Sequence, residues 1–147
     1  MTRTDSLLQL EQEVGVLVRR VKRVIGVRAR LVHEEMQPSS YLMLAYLAEH
    51  GPTRSSAMAD IFAIDKGAIS RQVHDLVDLG LVDRFQDPGD GRAWLLSASD
   101  DAVRRLADVA AHRRTWLDEQ LGDWSERELA DFVEELGRYN QALTQLE

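Results

Sequence analysis

The 147-residue sequence contains no cysteine. This absence excludes disulfide bonds, thiolate catalysis, cysteine-ligated zinc and thiol-based redox sensing. The sequence also has no apolar run long enough to span a membrane. Its first residues, MTRTDSLLQLEQEVG, carry early acidic side chains and no cleavable apolar core. We therefore expect a mature, soluble, cytoplasmic protein that makes no membrane contact.

Motifs for catalysis and for cofactor binding are also missing. The sequence has no nucleotide-binding glycine motif, no nucleophile elbow and no H-E-x-x-H. Its four histidines, His33, His50, His74 and His112, are scattered without the close spacing of metal ligands. We predict no enzyme activity, no cofactor and no metal site. A metal site made by His33, Glu34-Glu35 and His112 is the alternative to ordinary interfacial histidines.

Charge is present but unevenly distributed along the chain, whose formal net charge is −7. Residues 98–147 hold twelve acidic and six basic groups, whereas residues 1–35 hold seven basic and five acidic groups. Residues 54–92 hold five basic and seven acidic groups. A nucleic-acid interface within residues 54–92 would therefore depend on a few well-placed cations rather than on a basic block.

A long helix is predicted for residues 5–35. Its apolar side chains recur at three- and four-residue spacings, at Leu7, Leu10, Val14, Leu17, Val21, Val24 and Val32. A helix of this size is about 45 Å long, and we expect it to pack against another subunit. Six basic residues lie between Arg19 and Arg30 with no acid among them. They form a solvated face, or else they contact phosphate or attract an anionic ligand.

Three further helices are predicted, beginning at Pro38, at Pro52-Thr53 and after Asp65. In the second of these, Ala57, Ile61 and Phe62 are expected to pack inward. Ser55 and Ser56 near its start either contact phosphate or cap the helix. Asp65 is a good N-cap for the last of them. Two helices joined by a turn of three or four residues form a helix-turn-helix pattern.

The helix that follows Asp65 carries the predicted DNA contacts. Ile69, Val73 and Leu76 share one side and should be buried. The predicted contact residues are Lys66, Gly67, Ser70, Arg71, Gln72 and His74. Arg71 is the main candidate because arginine can bind guanine through two hydrogen bonds in the major groove. A plain surface charge is the alternative interpretation of Arg71.

A β-hairpin is predicted to follow this helix, which ends at Gly80. Residues 81–86 and 92–97 have strand patterns and are joined by a polar turn at residues 87–91. Arg92 at the base of the turn is predicted to enter the minor groove, with Asp90 paired to it as a brace. Arg84 is expected to brace the hairpin or to touch phosphate.

The run GLVDRFQDPGDGRAWLLSAS resembles the wing signature of the MarR family of bacterial regulators. The matching residues are Gly80, Leu81, Val82, Arg84, Asp87, Pro88, Asp90 and Arg92. The order of elements is similar over nearly the whole chain, because two further helices follow, at residues 100–121 and after a capping box at Ser125 and Glu128. Ala98-Ser99 and Ala102 stand where the family usually has Leu-Thr and Gly, which affects the helix start rather than DNA contact.

The resemblance implies that the first helix and the last two interlock with a second copy across a two-fold axis. The homodimer would then present two recognition helices roughly one DNA turn apart. It also implies a small effector, often aromatic or anionic, held between the dimer helices and the winged domain. By this analogy the effector site contains Arg30, His33, Tyr41, His112 and Trp116. Ordinary dimer-core or surface positions are the alternative for each.

We therefore predict a mainly α fold with a small β-wing. Residues 36–99 form the winged helix-turn-helix domain, and residues 1–35 and 100–147 form a helical dimerisation region. The leading hypothesis is a homodimeric repressor that binds a pseudo-palindromic operator in double-stranded DNA and is released by a small-molecule ligand. A winged-helix protein-interaction module and a metal-responsive regulator of the same fold are the alternatives.

Overall fold

The computed structural model describes residues 1–146 of the chain. In order, its elements are α1 (Arg3–Val32), α2 (Pro38–His50), β1 (Thr53–Arg54), α3 (Ser55–Phe62), α4 (Lys66–Asp78), β2 (Val82–Asp87), β3 (Asp90–Ala98), α5 (Asp100–Gln120) and α6 (Glu126–Leu143), with a final 3-10 turn at Thr144–Leu146. The fold is mainly α with a small antiparallel sheet, which confirms the predicted winged-helix class.

The chain forms two compact units, Met1–Val109 and Ala110–Glu147. Their boundary falls within α5. The predicted winged helix-turn-helix domain at residues 36–99 stays a prediction. The predicted dimerisation role of residues 1–35 and 100–147 concerns a second copy and stays a prediction. Glu147, the last residue of that region, lies outside the described residues.

The core of the first unit forms where α2, α3, α4 and β3 meet. Its largest fully buried side chains are Met43, Leu44, Leu47, Met58, Ile69, Leu76, Leu81, Leu96 and Val32. Ile69, Val73 and Leu76 are buried as predicted, because residues three and four apart on a helix share one face. This burial fixes the rotation of α4 about its own axis.

Helix α1 packs into this core only near its C-terminal end. It begins with a capping box in which Thr2 and Asp5 exchange hydrogen bonds. Gly26, Ala29 and Val32 are its only buried residues, and none of residues 3–25 is fully buried. The helix ends at Val32 rather than at residue 35, because His33 adopts an extended backbone conformation.

The sheet contains a strand that the sequence did not predict. Its order is β1-β3-β2, and β1 pairs with β3 through Thr53 opposite Leu96 and Arg54 opposite Leu95. Helix α3 consequently begins at Ser55, not at Pro52-Thr53. The predicted strands are confirmed with ends shifted by one or two residues.

One predicted core position on α3 is wrong. Ile61 is 44% exposed, whereas Met58 and Ala59 are buried and Phe62 is half-buried against the core. Those three residues define the inward side of α3, and Ile61 falls beyond its edge.

The second unit contains α6 and the end of α5. The predicted capping box is present, because the Ser125 hydroxyl accepts from the Glu128 backbone and the Glu128 carboxylate accepts from the Ser125 backbone. No residue of α6 is buried. Its apolar residues are at least 36% exposed at Leu129, Phe132, Val133, Leu136 and Leu143. None of the helices in residues 1–146 is both long and apolar enough to cross a membrane.

Candidate nucleic-acid interface

Asp65 caps the N-terminal end of α4, as predicted. Its carboxylate accepts hydrogen bonds from the backbone N–H of Gly67 at 2.7 Å and of Ala68 at 3.3 Å. These bonds satisfy two of the amides that a helix start leaves without an intrahelical partner. The first turn of α4 is thereby held in place, and Lys66 and Gly67 belong to that turn.

The face of α4 opposite the core is open to solvent. Five of the six contact residues predicted on α4 are exposed there: Lys66, Gly67, Ser70, Arg71 and His74. The Arg71 guanidinium takes part in no ion pair within the described part of the chain. A donor-rich arginine on the N-terminal half of a solvent-facing helix suits recognition of base edges.

Gln72 points in a different direction from the other predicted contacts. Its side-chain nitrogen donates a 2.9 Å hydrogen bond to the Ser39 hydroxyl of α2, and its side-chain oxygen is buried without a partner. The residue lies next to Val73 on the half-buried flank of α4. The contact with Ser39 therefore holds α4 against α2, and the geometry does not favour the predicted DNA contact for Gln72.

His74 has an acidic neighbour on the same helix. Its Nε2 lies 3.2 Å from the Asp78 carboxylate, and both side chains are largely exposed. This spacing of four residues places the pair one turn apart on the outer face of α4. Asp78 therefore adds an acidic group beside His74 on the outer face of α4.

The serines predicted near the start of α3 lie within its first turn. Arg54 is the residue before the helix, and it makes no side-chain capping bond. Ser56 is exposed and Ser55 is half-buried. Ser56 is therefore the more accessible hydroxyl for a phosphate at this helix start.

An ion pair that the sequence did not predict joins α3 to the hairpin. Arg54 Nη2 and Nε lie 2.9 Å and 3.2 Å from the same Asp87 carboxylate oxygen. The other oxygen of Asp87 accepts a 2.9 Å bond from the Gly89 backbone N–H. The Gly89 amide first, and then the Arg54 guanidinium, hold the pKa of Asp87 below its usual value. Asp87 thus both closes the turn of the wing and attaches it to the start of α3.

Asp90 and Arg92 interact differently from the prediction. The Asp90 carboxylate accepts a 3.1 Å bond from the backbone N–H of Arg92, not from its guanidinium. No ion pair of the Arg92 side chain occurs among residues 1–146, and the residue is exposed. Because Asp90 and Arg92 are only two residues apart in a tight turn, the nearest donor to the carboxylate is the main chain. The guanidinium at the wing therefore stays available.

Arg84 braces the wing, which is one of the two roles predicted for it. Its guanidinium lies 4.3 Å from the centre of the Trp94 ring. Arg84 lies opposite Leu96, two residues along β3 from Trp94, so both side chains share one face of the β2–β3 pair. This cation–π contact covers part of the exposed tryptophan and stiffens the hairpin.

Arg54 and Trp94 are the two residues of this region that sequence reasoning missed. Arg54 and Asp87 are 33 residues apart, so no local spacing relates them. Trp94 could have been placed opposite Arg84 only once the strand register was known. The register depends on where the turn begins, which the pattern of strand residues fixed only to within one or two residues.

The predicted effector residues belong to both compact units. Tyr41 is buried, His33 is half-buried and Arg30 is exposed in the first unit, while His112 and Trp116 are exposed in the second. The Nδ1 of His33 accepts a 3.1 Å bond from the Glu35 backbone. A shallow cavity in the second unit is lined by Asp123, Trp124, Glu128, Asp131 and Phe132, and it contains none of the predicted residues. The effector site stays a prediction.

The described residues bring together no group of three His, Asp or Glu side chains that would suit a metal ion. His33 and Glu35 are joined by a main-chain hydrogen bond that uses the His33 ring nitrogen. Because this nitrogen already accepts a hydrogen bond, the geometry favours an ordinary structural histidine over a metal ligand.

Sequence comparison places the chain among transcription regulators. Residues 35–93 match the profile of the MarR family. The helix-turn-helix-type transcriptional regulator YxaD of Bacillus subtilis strain 168 is 32% identical over 133 residues, which is 90% of this chain and 92% of that protein. These relatives are regulators and not enzymes, in agreement with the prediction.

Comparison with solved structures shows the same fold. A MarR transcriptional regulator from Methanosarcina mazei Go1 superposes with a TM-score of 0.78 at 18% identity, over 94% of this chain and 98% of that one. The transcriptional regulator BldR from Sulfolobus solfataricus superposes with a TM-score of 0.73 at 22% identity, over 99% of both chains. With its exposed helix α4, its wing and these relatives, the chain belongs to the MarR family of DNA-binding, winged helix-turn-helix transcriptional regulators.

Proposed function

We propose that the protein is a homodimeric repressor that binds a pseudo-palindromic operator and is released by a small aromatic or anionic effector. The observation that carries the proposal is the orientation of α4. Burial of Ile69, Val73 and Leu76 leaves Ser70 and Arg71 exposed on the opposite face. In this orientation α4 is the recognition helix, and its first two turns enter the major groove.

The wing supplies a second contact. Arg92 is exposed and without an ion pair among the described residues, whereas Arg54 and Arg84 are engaged by Asp87 and Trp94. An arginine at a hairpin tip can enter a narrow minor groove, where the negative potential is strongest. Lys66, Ser56 and the backbone at Gly67 would then bind phosphates and fix the register of the protein on DNA.

The dimer is supported by two helices that one copy leaves uncovered. Most of α1 and all of α6 have no buried residue, although both carry apolar residues at helical spacing. Exposed apolar surface of this extent on a small protein indicates a binding surface. A two-fold dimer presents two recognition helices to two half-sites, which fits a pseudo-palindrome.

Release by an effector requires a ligand that binds one dimer arrangement better than another. Arg30, His33, Tyr41, His112 and Trp116 remain the proposed effector residues, with Arg30 and the histidines suited to an anion and the aromatic rings to a flat ligand. A bound ligand would favour the arrangement that binds DNA less well. The dimer would then hold its recognition helices at a spacing that no longer matches the half-sites.

The direct test is the affinity of the full-length protein for a selected operator at fixed salt. We expect Arg71→Ala and Arg92→Ala each to weaken binding by about 1–3 kcal/mol, measured by fluorescence titration with the dimer intact. Arg104→Ala is the matched control, since that arginine is 76% exposed in a weak pair with Asp101 on α5. Unchanged affinity in both test variants would remove α4 and the wing from the interface.

A protein-interaction module is the second candidate, favoured by the excess of acidic groups in residues 54–92. The dependence of DNA affinity on salt concentration distinguishes the DNA-binding regulator from the protein-interaction module. DNA affinity that falls steeply with rising salt reflects phosphate contacts and release of counterions. If the protein does not bind DNA but captures a protein partner independently of salt, the protein-interaction module is favoured.

A further inference from the structure

The hydroxyl of Ser99 makes two hydrogen bonds at the junction between β3 and α5. It donates a 2.8 Å bond to the backbone carbonyl of Gly80 and accepts a 3.1 Å bond from the backbone N–H of Ala102. The second bond caps the start of α5, whereas the first reaches the turn that follows α4. Only 8% of Ser99 is exposed, so little water competes for either bond. One hydroxyl therefore joins the start of α5 to the C-terminal end of the recognition helix.

The turn that receives this bond is itself held by backbone hydrogen bonds. The backbone N–H of Gly80 donates to the Val77 carbonyl, and that of Leu81 donates to the Leu76 carbonyl, both at 3.0 Å. The backbone N–H of Ser99 donates to the Leu81 carbonyl, also at 3.0 Å. Leu76 and Leu81 are fully buried in the core. Because these bonds leave the turn little freedom, a displacement of Ser99 would pass to the last turn of α4.

A second contact attaches the first turns of α5 to the end of α1. Arg105 Nη1 donates a 2.8 Å bond to the backbone carbonyl of Val32, the last residue of α1. That carbonyl is one of the four that a helix end leaves without an intrahelical partner, and a cation there also suits the helix dipole. Asp101 lies 3.1 Å from the Arg105 guanidinium and helps to orient it. The start of α5 is thus attached at two points, Gly80 and Val32.

Two attachment points fix the direction of a helix where one would not. Ser99 and Arg105 are six residues apart, which is about 9 Å along a helix axis. Ala102, Leu106 and Val109 also pack against the core, but apolar contacts are non-directional and allow a helix to rotate or slide. Loss of either hydrogen bond would therefore leave the start of α5 free to pivot about the other.

We propose that Ser99 and Arg105 are positioning residues, which hold α4 at a fixed orientation to the start of α5 and so determine which half-site spacing the protein accepts. The inference rests on the proposed homodimer. In a two-fold dimer joined through helices, the separation of the two recognition helices depends on how each α4 is held to α5 of its own chain. Neither side chain needs to touch DNA, because each acts through the position of α4.

The test compares the inverted repeat that the wild type selects with the same repeat lengthened by one base pair between its half-sites. The insertion moves one half-site by about 3.4 Å, so the wild type should bind the lengthened repeat more weakly. The ratio of the two dissociation constants measures how strictly the spacing is held. For Ser99→Ala and for Arg105→Ala we expect this ratio to fall by about twofold to tenfold, the size of one lost hydrogen bond, in fluorescence titrations of the full-length dimer.

Each variant has a control that loses the same local feature without the attachment. Ser125→Ala removes the hydroxyl that caps α6, which accepts from the Glu128 backbone and makes no bond beyond its own helix among residues 1–146. Arg104→Ala removes the neighbouring arginine, which also pairs with Asp101 but makes no bond to α1 in the described chain. Both controls should keep the wild-type ratio. Ser99→Thr retains a hydroxyl and should keep it as well.

The ratio separates a positioning role from a loss of stability. A variant that is merely less stable, or that loses one DNA contact, binds both repeats more weakly by the same factor. An unchanged ratio for either test variant, or an equal fall in its control, would overturn the inference and leave the proposed function intact. If Ser99→Ala does not fold, Arg105→Ala against Arg104→Ala decides alone. If the wild type selects no inverted repeat, or binds both repeats equally, the proposed function itself fails.

Discussion

At Asp87, one carboxylate makes two contacts that decide where the wing lies. One oxygen binds the Gly89 amide within the turn, and the other binds Arg54 at the start of α3. Both contacts are stronger with the charged form, so the pKa of Asp87 is lowered. A lowered pKa means that its stabilising effect is present above the ordinary aspartate value of about 3.9 and is lost as the pH falls through the lowered value. The wing is therefore attached to α3 at neutral pH.

Asp87→Asn tests whether this attachment matters for DNA binding. Asparagine can still accept from Gly89, but it loses the ion pair with Arg54. The substitution also removes a negative charge near DNA, which by charge alone should tighten binding. We expect the opposite, a loss of about twofold to fivefold in operator affinity, the size of an exposed ion pair, in a fluorescence titration.

Asp83→Asn is the matched control for this substitution. Asp83 is exposed on the same strand as Asp87 and takes part in no ion pair among residues 1–146. Its substitution should leave affinity unchanged or slightly higher. Equal behaviour of the two variants would show that the Arg54–Asp87 contact does not position the wing for binding.

The contacts of a side chain are predictable from the sequence when its partner lies within a few residues along the chain. Asp65 is predictable as a cap because the backbone N–H groups that donate to its carboxylate lie two and three residues away. Gln72 is predicted as a DNA contact, but a long side chain on the flank of a helix can turn either way. Only the position of Ser39 on α2 decides that Gln72 turns inward.

The stability of helix α4 depends on the cap of its first turn. Asp65→Ala removes the cap, and we expect a loss of about 0.5–2 kcal/mol in the free energy of unfolding, measured by urea titration. Asp60→Ala on α3 is the control, since that acid is exposed, and we expect a change within about 0.5 kcal/mol. Equal losses in the two variants would contradict the role of the cap. Operator affinity should fall with Asp65→Ala as well, because Lys66 and Gly67 belong to the turn that the cap holds.

The helices and the hairpin were predicted because each has a strong local signal. The turn from α4 into β2 requires Gly80, whose φ of 73° is unfavourable for other residues. Strand β1 was missed because two residues are too few to show an alternating pattern. It forms on the edge of β3 that faces away from β2, where Thr53 and Arg54 lie opposite Leu96 and Leu95.

In the molecule as a whole, contacts within one chain bury the core of the winged domain. They do not bury the apolar faces of most of α1 or of α6. The spacing of their apolar residues predicts that both helices form and that each has an apolar face. In a single chain those apolar faces are exposed. The surface that covers these apolar faces would belong to another molecule. The spacing of apolar residues along one chain therefore predicts neither the dimer nor the effector site.

The central claim is that two copies read one operator through α4. The most direct measurement is selection and sequencing of DNA fragments bound by the purified full-length protein, with Arg71→Ala carried through in parallel. We expect enrichment of an inverted repeat whose half-site centres lie about 10 base pairs, or a multiple of that, apart, and loss of that enrichment in the variant. Enrichment of no sequence, of a single asymmetric site, or of the same repeat by Arg71→Ala would contradict it.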